Sequence, residues 1–157
     1  MGTVSPSQLG RASEIVDGLQ QQGQAAAQRG DSFDRTERTV RGLTIQIGKH
    51  ALELFIRLQG DGDLGEQVTT DEGESLRRSQ TPVSTTVRSI VGTHRFNQFT
   101  YAPGAKKAVC LRPINARMSL PLQQWSCLLQ EWSQMMAVDF AYEQAMQNLG
   151  KILGSNF

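Results

Sequence analysis

Eight basic side chains, Arg77, Arg78, Arg88, Arg95, Lys106, Lys107, Arg112 and Arg117, fall in a stretch (75–130) that contains no acidic residue. Cations gathered without counter-charges suit the holding of anionic oxygens, and of phosphate in particular. Phe96, Phe99 and Tyr101 are interleaved with them, and rings beside cations are how single-strand binders combine stacking with phosphate contacts. The competing reading packs the rings inward and leaves the cations hydrated. The preceding stretch, 61–74 (DGDLGEQVTTDEGE), carries six acids and no base. A formal net charge of +1 therefore conceals a strong asymmetry between neighbouring segments.

Other reactive side chains are present but do not assemble into a recognisable site. His50 and His94 lack a Cys, His or carboxylate at metal-ligand spacing. Cys110 and Cys127 lie 17 residues apart with no CxxC, too sparse for a zinc ribbon or a disulfide scaffold. Cys127 reads as a small core residue on an apolar helix. Asp61, Asp63 and Glu72 fit positions one, three and twelve of a calcium loop, but Gly65 replaces a required oxygen and Glu66 replaces the turn glycine. Glu131, Asp139 and Glu143 could gather around a divalent ion, yet Asp139 is better explained as a helix cap. With no phosphate-cradling glycine loop and no GxSxG, the sequence assigns no catalytic residue, no metal ligand and no cofactor. The chain is expected not to be an enzyme by itself.

The elements that must position the cations follow from periodicity. Residues 1–30 offer a thin stripe (Leu9, Ile15, Val16, Leu19) and then the low-complexity QQQGQAAAQ, and read as a marginal helix or a tail. Asp31 or Ser32 can cap an amphipathic helix within 31–60, where Val40, Thr44, Ile47, Ala51, Leu54 and Leu58 recur at steps of three and four. That stripe fits a helical hairpin or a self-associating coiled coil, and Gly60-Asp61-Gly62 ends it. Residues 61–118 are expected to form an acidic turn followed by a basic β-hairpin, TPVSTTVRSIVG and THRFNQFTYAP, divided at Gly92. A turn at Pro103-Gly104 and a short strand over 108–111 complete the segment. Residues 119–157 read as two helices. Ser119 and Pro121 open the first, Asp139 opens the second, and together they look like the start of a helix-turn-helix without its base-reading helix. The fold class is α+β, with helices flanking a small antiparallel sheet.

A length of 157 residues with 38 % hydrophobic and 20 % charged residues bounds the chain at one domain or two small ones. No apolar run reaches the roughly 20 residues of a membrane span, and MGTVSPSQLGRASE has no export-signal pattern. A soluble, cytoplasmic protein with no membrane partner is expected.

The order of these features resembles the N-terminal region of the ISKra-type insertion-sequence transposases of bacteria. The resemblance covers roughly residues 40–153. It rests on LFIRLQGDGDLGEQVTTDEGESLRRS, the hairpin TTVRSIVGTHRFNQFTYAPG, the segment LRPINARMSLP, and QQWSCLLQEWSQMMAVDFAYEQAMQNLGKILG. Arg112, Pro113, Ala116, Arg117, Leu120 and Pro121 match the family's third segment, while Asn115 stands where Asp is usual. The resemblance implies a DNA-binding and assembly region contacting element ends. The family's metal-dependent catalytic residues would lie far downstream, so none is carried over and the chain would be a truncated or separately encoded part. The alternatives are a non-catalytic self-association module and a remnant reading frame without selected function.

Overall fold

The computed structural model describes residues 6–105, 107–121, 124–139 and 142–154. Helix α1 (Pro6–Arg29) and helix α2 (Phe33–Arg57) form a helical hairpin. The Gln/Ala stretch expected to be marginal belongs to one continuous 24-residue helix. Ala and Gln are good helix formers, and the small Ala26 is buried near α2. Gly30, at φ 67°, ends α1 with Gly30 N–H donating to Ala27 O and Asp31 N–H to Ala26 O, a Schellman closure. Ser32 caps α2, accepting from Arg35 N–H at 3.3 Å.

The acidic segment is more than a turn. Strand β1 (Gln67–Thr69) pairs antiparallel with β2 (Ser75–Arg78), and β2 pairs with β5 (Tyr101–Ala102), in the order β1-β2-β5. The acids Asp71, Glu72 and Glu74 crowd the tip between β1 and β2. Their polar strands hide a sheet from hydrophobic patterning, because only Leu76 is buried in β2.

The basic hairpin forms about Gly92, from β3 (Val83–Ser89) and β4 (Gly92–Gln98), in register from Ser89↔Gly92 to Val83↔Gln98, but its second strand stops at Gln98, and Tyr101–Ala102, expected to continue it, pairs with β2 instead. The strand expected over 108–111 shrinks to a single bridge, Leu111 with Tyr101. Helix α3 (Pro113–Arg117) follows, with proline in its first turn.

Helices α4 (Cys127–Asp139) and α5 (Tyr142–Leu153) supply the C-terminal pair. Ser119 does not open α4: it sits at φ 50° between α3 and α4. The start is displaced because residues 124–126 are tied to β3, Arg88 N–H donating to Gln124 O and Ser126 N–H to Arg88 O. Ser126 then performs the capping, its Oγ accepting from Leu129 N–H at 3.3 Å. Asp139, expected to open the second helix, belongs to α4, and residues 140–141 between it and Tyr142 lie outside the described residues.

Two apolar centres hold these elements. One is Leu129 with Leu149, flanked by Ile90, Trp125, Trp132, Met136 and Met146, so the hairpin turn is packed into the helical pair. The other lies at the sheet junction, where Leu76, Tyr101 and Ile114 are almost fully buried. Gly48 explains itself here. A Cβ on it would stand 2.9 Å from Val91 Cγ1, so glycine lets α2 approach the hairpin turn. Among the described residues no helix is long and apolar enough to cross a membrane.

Candidate nucleic-acid interface

Strand alternation sorts the hairpin side chains. Thr85, Val87, Ser89, His94 and Gln98 are buried on one face. Arg88 and Arg95 therefore share the other face. Since Arg88 opposes Thr93 and Arg95 opposes Thr86, the two arginines are diagonal neighbours, about 7 Å apart at Cβ. Arg95 is exposed and Arg88 half-buried.

The remaining cations divide into engaged and unengaged groups. Arg78 is half-buried, ion-paired with Asp63, and stacked 4.6 Å from the centroid of Phe99. Arg117 donates from Nη1 to the backbone oxygen of Gln59 at 2.7 Å and so ties α3 to the end of α2. Both have structural employment that their sequence position did not announce. Arg77, Lys107 and Arg112 are exposed, and like Arg88 and Arg95 they have no ion pair among the described residues. Lys106 lies outside the described residues.

The aromatic trio does not form a stacking platform. Tyr101 is completely buried, and its hydroxyl donates to Gly65 O at 2.9 Å while accepting from Leu64 N–H at 2.7 Å. Phe99 is half-buried under Arg78, and Phe96 is half-buried on the inner side of β4. The inward-packing reading is the correct one for Tyr101, because a phenol anchors the 64–65 loop to the sheet at the cost of any base contact.

The acids of the calcium-like loop are also in use. Asp61 Oδ1 accepts from Asp63 N–H at 3.0 Å, Asp63 Oδ1 accepts from Gly65 N–H at 2.9 Å, and the other Asp63 oxygen meets Arg78. Cys127, expected in the core, is exposed, as is Cys110, because the first turn of α4 carries its buried face at Leu129. Among the described residues no three His, Cys, Asp or Glu side chains gather as a metal site.

Hidden from the sequence was a polar cluster beneath the hairpin. Gln98, fully buried, donates from Nε2 to Thr85 Oγ1 and to Asn115 Oδ1, and accepts from Ile114 N–H at 3.1 Å. Asn115 uses its side-chain oxygen there, accepting from Gln98 Nε2. His94, 2 % exposed, places Nε2 at 2.9 Å from Ser89 Oγ, while Nδ1 is buried with no partner among the described residues. Burial holds its pKa below the usual imidazole value, with Glu53 opposing and Lys49 reinforcing the shift. Only an alternating burial pattern could have flagged His94 and Gln98, and two polar residues at inward positions read equally well as outward ones.

Comparison with known protein families, with curated proteins and with solved structures yields no match for this chain.

Proposed function

We propose that the chain is a non-catalytic DNA-binding and assembly region of an insertion-sequence transposase, of the kind its sequence resembles, acting in the cytoplasm. The observation that carries this is the outer face of the hairpin. Arg88 and Arg95 lie side by side there with no acid paired to either among the described residues. Arg77, Lys107 and Arg112 extend the set of unengaged cations. With the rings turned inward, the contacts are to phosphate rather than to bases, so binding is to duplex backbone and is nearly independent of sequence.

The test is affinity for a random 30-base-pair duplex as a function of salt. Five phosphate contacts give a slope of log affinity against log salt near −4.5, or about a 500-fold loss from 50 to 200 mM. The Arg88→Ala, Arg95→Ala, Arg112→Ala triple variant should reduce the slope to about −1.8, with a loss of only about 12-fold over the same range. An unchanged slope and affinity overturn the assignment.

One observation favours a second reading, self-association through the 31–60 helix. Val40, Thr44, Ile47, Ala51, Leu54 and Leu58 keep a seven-residue repeat, and Val40, Leu52 and Phe55 on α2, with Leu58 at its C-cap, remain exposed. Sedimentation of the wild-type chain and of Phe55→Asp separates the two. A dimer that dissociates in the variant supports self-association.

A further inference from the structure

The outer edge of β4 is unpaired, and hydrogen bonds made on the far side of the hairpin reveal which groups it presents. Arg88 directs both its N–H and its C=O away from β4, to Gln124 and Ser126, at 2.7 and 2.8 Å. The Arg88–Thr93 pair is therefore of the non-hydrogen-bonded type, and by alternation so are Thr86–Arg95 and Ser84–Asn97. It follows that Thr93, Arg95 and Asn97 point their N–H and C=O groups outward. β4 has no strand neighbour except β3, these outward groups have no partner among the described residues, and all three residues are exposed.

Helix α2 flanks this edge without closing it. It touches the hairpin at the tip, through Gly48 and Val91, and the chain beyond it is pinned at the far end, where Phe99 N–H donates to Asp61 O at 2.8 Å. Between these points a cleft of about 450 Å³ separates β4 from His50, Glu53, Ile56 and Arg57. The open edge from Thr93 to Asn97 is about 14 Å long.

Charge selects the occupant. Glu53 is already matched by Lys49 at 3.9 Å, whereas Arg57 and Arg95 have no acidic partner among the described residues. A strand added here would place alternate side chains beside Arg95 on one face, and beside Phe96 and Ile56 on the other. A second copy paired two-fold about Arg95 would set the two arginines against each other, an unfavourable cross-strand pair and a familiar guard against edge-to-edge association.

We propose that the β4 edge and its cleft dock an extended peptide segment of a partner protein whose residues alternate acidic and aliphatic, by strand addition. The full chain binds fluorescein-labelled EVEVEVE, read by fluorescence anisotropy. Backbone amide exchange at Thr93, Arg95 and Asn97 slows on saturation. Arg95→Glu and, separately, Arg57→Glu weaken binding at least tenfold, and N-methylation of the peptide amides facing the edge abolishes it. Equal binding of the scrambled EEEEVVV, no change in the three amides, or no binding at all overturns the proposal. Amides that become protected with rising protein concentration and no peptide would instead assign the edge to a second copy. Duplex binding is measured apart, so either property can fail alone.

Discussion

Gln98→Leu tests whether the buried polar cluster, rather than apolar contact alone, fastens the hairpin to α3. The side chain is completely enclosed and serves three partners: Thr85 Oγ1 at 2.9 Å, Asn115 Oδ1, and the N–H of Ile114 at 3.1 Å. Leucine fills a similar space but provides neither donor nor acceptor. Ile114 is 1 % exposed, so its orphaned N–H cannot reach water and costs about 2 kcal/mol. Thr85, also buried, loses a donor at a cost of about 1 kcal/mol. Asn115 is only half-buried and regains a partner from solvent. The added apolar surface returns at most about 1 kcal/mol, leaving a net destabilisation of about 2–3 kcal/mol. For a chain of this size that lowers Tm by roughly 4–12 °C. Urea and thermal unfolding followed by far-UV circular dichroism measure both quantities. Combining Gln98→Leu with Thr85→Val should cost less than the two changes separately by at least about 0.5 kcal/mol, since they share a bond. A Gln98→Leu protein within about 0.5 kcal/mol of wild type, or strict additivity with Thr85→Val, refutes the reasoning.

Further outcomes follow from the other buried groups. Tyr101→Phe leaves Leu64 N–H and Gly65 O without their phenol partner and should cost about 1–3 kcal/mol in urea unfolding, with no change in the salt slope of duplex binding. Leu129→Ala opens the centre between α4 and α5, where Leu129 and Leu149 are both fully buried, and should cost about 2–5 kcal/mol. The depressed pKa of His94 means that below about pH 6.5 the unfolded chain takes up a proton more readily than the folded one. Stability attributable to His94 is thus complete above that pH and lost as pH falls toward the folded pKa. Denaturation midpoints from pH 7.5 to 5 should decline, and His94→Gln should flatten the decline. Gly48→Val forces a side chain against Val91 and should lower Tm through separation of α2 from the hairpin, whereas Gly42→Ala, with open space around it, should leave Tm unchanged or raise it.

Much of the architecture was legible because it is written in local signals. The α2 stripe has helical spacing and a Ser32 cap, the hairpin has β-branched strands around Gly92, and each of these is decided within one continuous stretch of chain. The three-stranded sheet escaped because β1, β2 and β5 are short and polar, and β5 joins β2 across more than twenty residues of intervening chain. Periodicity has nothing to register in strands of two to four residues. The start of α4 was displaced for the same kind of reason: Pro121 and Ser119 are good local signals, but backbone bonds from residues 124 and 126 to Arg88 are stronger constraints.

By itself the sequence determined the α+β class, the order of helices and hairpin, and the segregation of acids from bases, since all three depend on composition and short-range spacing. Tertiary structure alone decided which cations remain available. Arg78 and Arg117 are removed by Asp63, Phe99 and Gln59, which lie between 15 and 58 residues away in the chain. Tertiary structure also turned Tyr101 inward and left the edge of β4 open. The physical reason is that a charge or an unpaired backbone group is defined by its neighbours in space, and those neighbours are brought together only when separate elements pack.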